Sequence, residues 1–383
     1  MAEFRAFPVL LPTGPRYWTV IDERYRVVAP ADEFLLHIRL GRDRAENTTQ
    51  AYATGLALYF TWCEASRLDW SAATPRLGRF VHWLGYFSKD AAGMPVPGQR
   101  VRGAGRVNAI LAAVREFLKH AVSVGVVAPV VLDGLYEIVE DWDLPAEVRG
   151  ERRIGLRARP RHRLREPQRV VEPATDVQVL ALLRACGNAR DRFIVLALWR
   201  MGLRRGELTG LRREDVHFVP DASRLGCGVR GAHVHVVRRD NRNGAAAKSP
   251  RSRAVPADWL VVQGYDQYLA ERTACSEADR CDFLLVNLFQ QPLGEPMRPQ
   301  ALNELLEALS RRAQLTRPVH PHALRHSFGT NLGASGATLD EIKDLLGHAA
   351  FTSSEVYLHP DDGRLREAVD KVPLPRTTPP VVR

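Results

Sequence analysis

Lysine is nearly missing from this sequence. Of its 54 basic residues only Lys89, Lys119, Lys248, Lys343 and Lys371 are lysines, so arginine carries almost all of the positive charge. Cysteine is also scarce. Cys63, Cys186, Cys227, Cys275 and Cys281 form no CxxC pair and leave an odd one over, which fits reduced, buried thiols better than a disulfide framework or a zinc cage. Long hydrophobic runs are missing too. The opening stretch MAEFRAFPVLLPTGPRYW is a short apolar run broken by prolines, and nothing approaches the roughly 18 apolar residues of a membrane span. These absences point to a protein without a membrane anchor, working in the cytosol.

What remains is a globular composition on a chain of 383 residues, longer than one hydrophobic core usually runs, so two domains are expected. The formal net charge is +10, from 54 basic against 44 acidic residues. Arginine presents a planar fork of donors that matches phosphate, so an arginine-rich basic chain points first to nucleic acid. A general preference for Arg over Lys on solvated faces accounts for many of these residues. Position must therefore decide.

Along the chain, residues 31–140 read as a helical bundle, with Tyr52, Leu56, Tyr59, Phe60 and Cys63 at helical spacing in NTTQAYATGLALYFTWCEAS. Thr48 or Thr49 is placed to cap that helix, where exposed amides can also receive a phosphate. In GQRVRGAGRVN, Arg100, Arg102 and Arg106 lie among glycines. Residues 1–30 are either an arm or a small added unit. Residues 141–172 form a linker whose run from Arg149 to Arg169 holds nine arginines against Glu151 and Glu166. It serves equally well as a solvated tether or as a basic strap along a duplex, with Arg159, Arg161 and Arg163 as contacts. Residues 173–360 form a second, mainly helical domain with a small antiparallel β-sheet, in which HVHVVRR and RSRAVP flank the turn NRNG. Arg242 and Arg251 lie beside that turn and are further candidate DNA contacts. In the tail, 361–383, Leu365, Val369 and Val372 make an apolar stripe too short to stand alone. It would dock either on its own domain or on a neighbouring protomer.

Chemistry concentrates in three places. GLRRGELTGL sets Arg204 and Glu207 one helical turn apart, which by itself can be an ordinary ion pair. HPHALRHSF sets His322 and Arg325 on one face of a helix that Pro321 would start. LLGHAAFTSSEVYLH brings His348 after Gly347, and Tyr357 nine residues beyond His348. His322 and His326, at i and i+4, could ligate a metal, but no HExxH and no nearby cysteine completes the set, and Arg325 would repel a dication. An anion site of arginines and histidines is the stronger reading. His326 reads as a packed core residue.

The order GLRxxEL, HxLRHSF, GH and then Tyr resembles the tyrosine recombinases, or phage integrases, over the whole second domain, and the helical bundle is similar to that family's core-binding domain. The resemblance implies a catalytic lysine on the hairpin, and Lys248 stands eight residues before Pro256. It further implies that Tyr357 attacks a DNA phosphodiester to form a 3′-phosphotyrosine, that Arg204 and Arg325 clamp the non-bridging oxygens, and that Lys248 protonates the leaving 5′-oxygen. His322 would accept the tyrosine proton or bond the phosphate, and His348 would support the phosphate. Glu207 would be a structural partner of the arginines. No metal and no nucleotide cofactor is implied, because the bond energy is kept in the phosphotyrosine. The implied partner is double-stranded DNA, wrapped in a C-shaped clamp, with a dimer on each site and a tetramer in the synaptic complex of a prokaryotic or mobile-element protein. The tail would then dock in trans. Three rivals stand beside this reading: a type IB topoisomerase, a DNA-binding protein with a dead site, and a metal-dependent hydrolase using the histidines. Tyr265 and Tyr268 are alternative nucleophiles, although both read as core.

Overall fold

The structure is a computed structural model that describes residues 3–87, 100–140, 156–166, 172–247, 252–347, 366–367 and 369–372. Lys248, Arg251, His348, Tyr357 and Leu365 lie outside the described residues. The chain forms two compact units, which meet in sequence at Gln168 and Arg169, inside the expected linker.

The first unit opens on an antiparallel hairpin, β1 (Arg5–Leu10) and β2 (Arg16–Ile21), with Arg5 opposite Ile21 and Leu10 opposite Arg16. The helices α1 (Ala29–Leu36), α2 (Glu46–Ala65), α3 (Leu77–Tyr86), α4 (Ala104–Ser123) and α5 (Val131–Leu135) follow. Burying aromatic side chains drives their packing: Phe34, Tyr59, Phe80 and Phe117 are almost wholly enclosed, together with Leu56 and Val20. Residues 1–30 are therefore no free arm, because Tyr17 and Val20 of the hairpin belong to this core. Thr49 explains the attachment. Its hydroxyl accepts the Trp18 amide at 3.2 Å and donates to the Glu46 carbonyl at 2.7 Å. The cap position of α2 is Ala45, so neither Thr48 nor Thr49 caps this helix.

Part of the expected linker also belongs to the first unit. β3 (Tyr136–Glu140) pairs antiparallel with β4 (Leu156–Pro160). Beyond it, the Asn108 side chain donates to the Leu164 carbonyl at 2.9 Å and accepts the Leu164 amide at 2.8 Å. A tether would leave these backbone groups to water.

In the second unit, α6 (Asp176–Ala185) starts at a Thr175–Gln178 capping box and α7 (Ala189–Arg200) at the Asn188 cap. α8 (Arg205–Gly210) leads to a three-stranded antiparallel sheet in the order β5 (Val216–His217), β6 (His233–Val236), β7 (Arg253–Pro256). α9 (Trp259–Thr273), α10 (Pro299–Arg312), α11 (Pro321–Ala334) and α12 (Leu339–Leu346) complete the unit. Phe193, Trp199, Val234, Val255, Tyr268, Leu306 and Leu324 lie in its core. The NRNG stretch is no exposed hairpin tip. Asn243 is buried and donates to the carbonyls of Thr209 at 2.9 Å and Met297 at 2.7 Å, which pins the β6–β7 connection against the end of α8.

In the single chain the described part of the tail, 366–367 and 369–372, packs on its own domain, one of the two docking modes that the sequence leaves open. Val369 and Val372 are buried with Phe328, Leu332, Leu345 and Leu346. Arg200, itself buried and paired with Asp258 at 2.5 Å, donates to the Val372 carbonyl at 3.1 Å. Val369→Asp would place an uncompensated charge in that pocket and should destabilise the isolated chain by about 3 kcal/mol or more. Urea unfolding of the monomer measures this; unchanged stability would mean the stripe docks elsewhere.

Candidate active site

Arg204 is the N-cap residue of α8, and its backbone amide donates to the Glu207 carboxylate at 2.9 Å. Its guanidinium folds back on the same carboxylate at 2.7 Å. Arg253, on β7, reaches Glu207 from the other side at 2.8 and 3.2 Å. Arg325, on α11, completes the group at 3.8 Å. Thus three guanidiniums surround one carboxylate whose side chain is 0% exposed. Burial alone would push the Glu207 carboxyl up, but the hydrogen bonds and charge of Arg253, then those of Arg204, hold it below the usual range.

The arginines also grip one end of a helix. Arg253 Nε donates to the Leu345 carbonyl at 3.0 Å, Arg325 Nη2 to that of Leu346, and Arg204 Nη2 to that of Gly347 at 3.1 Å. These are terminal carbonyls of α12, where the chain has no further amide to offer and the helix dipole favours cations. Gly347 sits there with φ of 61° in the left-handed region, and a Cβ on it would come 2.7 Å from the Arg253 guanidinium. Gly202 is constrained in a similar way: its φ is 59°, and a Cβ would lie 2.3 Å from Phe328. The glycines of GLR and LLGH are therefore part of the geometry that seats the arginines.

Arg325 is 3% exposed and also donates to the Gly202 carbonyl. Burial first, then the charge of Arg204, pushes its pKa down to about 9, with Glu207 opposing and Arg253 adding to the effect. It keeps its proton at neutral pH, but a cation held at such a disadvantage gains from any added anion. Arg204, with 24% of its side chain exposed, is the most open of the three.

The structure thus brings Arg204 and Arg325 together as the sequence led us to expect. It adds Arg253, which that reading missed; in RSRAVP nothing but its place three residues before Pro256 marks it. His322 is exposed on α11, one turn ahead of Arg325. His326 is exposed as well, which corrects its reading as a core residue. Tyr268 is fully buried, donates to the Leu284 carbonyl at 2.7 Å and has its hydroxyl pKa pushed up to about 12 by burial. Tyr265 packs edge-on against Phe193 and Phe218. Neither is presented as a nucleophile.

The candidate DNA contacts divide in two. Thr49 is fully buried, and Arg102 donates to the Leu84 and Phe87 carbonyls at 3.0 and 2.7 Å; both are occupied in holding the first unit together. Arg100, Arg106, Arg159, Arg161, Arg163 and Arg242 are exposed. Of these, Arg159 pairs with Glu137 at 3.2 Å and Arg242 with Glu295 at 2.6 Å, exposed pairs that hold their side chains only weakly.

The second unit is thus a helical domain with a small sheet that carries arginines from a GLRxxEL and an HxLRH motif at the end of the helix that runs into GH. Residues 174–364 match the phage integrase family model, and the chain belongs to that family, the tyrosine-type site-specific recombinases. It is 25% identical over 339 residues to the tyrosine recombinase XerD of Corynebacterium glutamicum, covering 88% of this chain and 95% of the relative. It is 23% identical over 365 residues to transposase A from transposon Tn554 of Staphylococcus aureus, covering 92% and 93%. The solved XerH site-specific recombinase bound to difH substrate covers 86% of this chain and 84% of its own at 15% identity, with a TM-score of 0.48.

Glu207→Gln removes the one carboxylate that these three arginines share and should cost on the order of 3–5 kcal/mol, as when one partner is taken from a buried ion pair. The acid limb of the stability profile tests the cause. Because the folded pKa of Glu207 is depressed, its contribution is present above the ordinary value of 4.5 and fades as the pH falls through the lower folded value. The Glu207→Gln variant should lack that part of the limb, and identical profiles would contradict the assignment.

Proposed function

We propose that the chain cleaves and rejoins double-stranded DNA at a specific site through a 3′-phosphotyrosine on Tyr357. The observation that supports this most is the cluster of Arg204, Arg253 and Arg325 around Glu207: three positive charges against one negative leave a deficit that a phosphodiester would fill. The cluster lies at the end of α12, whose Gly347 is followed directly by His348 and then by the Tyr357 segment.

In the proposed reaction the Tyr357 oxygen attacks phosphorus and the bond to the 5′-oxygen breaks. The tyrosine proton passes to His322, and Lys248 gives a proton to the leaving 5′-oxygen. Arg204 and Arg325 stabilise the charge that builds on the non-bridging oxygens, with His348 in support. Rejoining reverses these steps with the 5′-hydroxyl of a second strand. A lysine suits the proton-donor role because an ammonium near phosphate can release a proton, whereas a guanidinium effectively cannot. The place of Lys248 is supported by the loop that leads to it, since a Cβ on Gly206 would meet the Ala246 carbonyl at 2.8 Å. That loop runs against α8, beside Glu207. The net charge of +10 and the exposed Arg100, Arg106, Arg159, Arg161 and Arg163 support a DNA duplex as partner. We assign a dimer to each site and a tetramer to synapsis, on cytoplasmic DNA.

Tyr357→Phe should retain fold and DNA affinity while losing every protein–DNA adduct that survives denaturation. Adducts in the variant, seen on a denaturing gel with labelled DNA, would exclude Tyr357. Lys248→Arg should slow cleavage of an ordinary site by about 10²–10⁴-fold, the usual contribution of general acid catalysis. A substrate with a sulfur leaving group needs little protonation and should be cleaved almost as fast by the variant as by wild type. Equal losses on both substrates would rule out proton donation by Lys248.

A further inference from the structure

Away from the arginine cluster, the sheet of the second unit carries a second group of reactive side chains. His217 on β5 lies directly opposite His233 on β6, and His235 follows two residues later on the same face. The alternate residues Val234 and Val236 face the core and are 1% and 2% exposed. Opposite the two β6 histidines stand the compact residues Pro256 and Ala254 of β7. The β5–β6 connection brings Cys227 over this face, after a turn in which Gly226 takes a φ of 76°.

The donor atoms converge. Cys227 Sγ lies 3.4 Å from His233 Nε2 and 3.3 Å from His235 Nε2, and the two nitrogens are 3.1 Å apart. With a ligand atom of His217 included, all four lie within 4.8 Å of one another. For a tetrahedral zinc with bonds of about 2.0–2.1 Å to nitrogen and 2.3 Å to sulfur, neighbouring ligands should be separated by about 3.3 Å (N to N) and 3.5 Å (N to S). The spacings among Cys227, His233 and His235 match that set within a few tenths of an ångström, and His217 stands within 4.8 Å of them as the fourth donor.

Hydrogen bonding accounts for the cluster less well. His233 Nδ1 lies 2.7 Å from the Gly231 carbonyl, so Nδ1 carries the proton and Nε2 keeps its lone pair. That lone pair can accept from Cys227 or from His235, but not well from both. His217 Nδ1 is buried with no hydrogen-bond partner among the described residues. The Val229 amide donates to Cys227 Sγ at 3.4 Å, a contact that stabilises a thiolate. The carbonyl behind His233 is the kind of second partner that fixes a ligating imidazole in structural metal sites.

We propose that His217, Cys227, His233 and His235 bind one zinc ion as a structural site. Three imidazoles and a thiolate suit zinc and exclude the oxygen-seeking magnesium and calcium. Four protein ligands leave no open position, so the ion does no chemistry of its own. On binding, the Cys227 thiol releases its proton to solvent and no electron moves. The ion ties the β5–β6 connection to the sheet. The same connection receives the tail, because Arg366 donates to the Ala232 carbonyl, one residue from His233.

The test uses the full chain, prepared without a histidine tag, loaded with zinc and then freed of loosely bound metal. Elemental analysis should find about one zinc per chain. Cys227→Ser and His233→Asn should each fall to background, whereas Cys275→Ser should keep its metal. Cobalt(II) should give a thiolate-to-cobalt charge-transfer band in the wild type and none in the Cys227→Ser protein. Stripping the metal with a strong chelator should lower the melting temperature by roughly 5 °C or more. A wild-type chain that holds no zinc above background, or cobalt without the charge-transfer band, would overturn the assignment whether or not the variants fold. Zinc retained in both Cys227→Ser and His233→Asn would do the same.

Discussion

The second unit is organised around a charge that has no access to water. Glu207 is enclosed and can stay ionised only because guanidiniums surround it, and each of these arrives from a different element: Arg204 from the start of α8, Arg253 from β7 and Arg325 from α11. A buried carboxylate lacking such partners would take up a proton or destabilise the fold by several kcal/mol. The requirement to neutralise it fixes where these three elements meet. It also explains why the acidic residue of GLRRGEL stands at the centre of the arginine cluster.

One carboxylate satisfies three arginines only in part, and the remaining donors settle on the last carbonyls of α12. Leu345, Leu346 and Gly347 each accept from a different arginine. Those carbonyls are weaker partners than an ionised oxygen, since charge-assisted pairs are roughly twice as strong as bonds to neutral groups. An anion at this cluster would compete for guanidiniums that are already held in place, so the cost of ordering long arginine side chains is met during folding. The same contacts anchor the point from which the chain runs on to His348 and Tyr357. In the proposed reaction, phosphate binding would thus draw on the same hydrogen bonds that hold the end of α12.

The sequence made much of this legible where chemistry demands particular residue types. Arg204, Arg325 and Glu207 lie in short motifs with helical spacing, and the helices of both units follow from apolar periodicity, as Leu56, Tyr59, Phe60 and Cys63 illustrate. Contacts distant in sequence left no such trace. Arg253 is 46 residues from Glu207 and looks like any other arginine in an arginine-rich chain. Thr49 has the residue type of a helix cap, yet an amide 31 residues away claims its hydroxyl. The NRNG stretch has the composition of an exposed turn, but Asn243 finds carbonyls on α8 and before α10 that only the folded domain brings near. Cys227 and the HVH of β6 were equally hard to connect, because their association depends on strand register and on a loop that folds back, not on a spacing such as CxxC.

Strand alternation gives the sheet two distinct jobs. On β7, Val255 and Arg253 share the face that packs inward, where Val255 joins the core and Arg253 reaches Glu207 and α12. Ala254 and Pro256 share the opposite face, beneath the imidazoles of β6. A slip of one residue in the β6–β7 register would exchange these faces, removing Arg253 from the carboxylate and placing a guanidinium among the histidines. The pairing of Val236 with Arg253 and of His235 with Ala254 is therefore constrained from both sides at once. Bracing the histidine face, by whatever means, holds the arginine face in register. That makes the histidine face of the sheet a determinant of the arginine cluster although no described group on it touches that cluster.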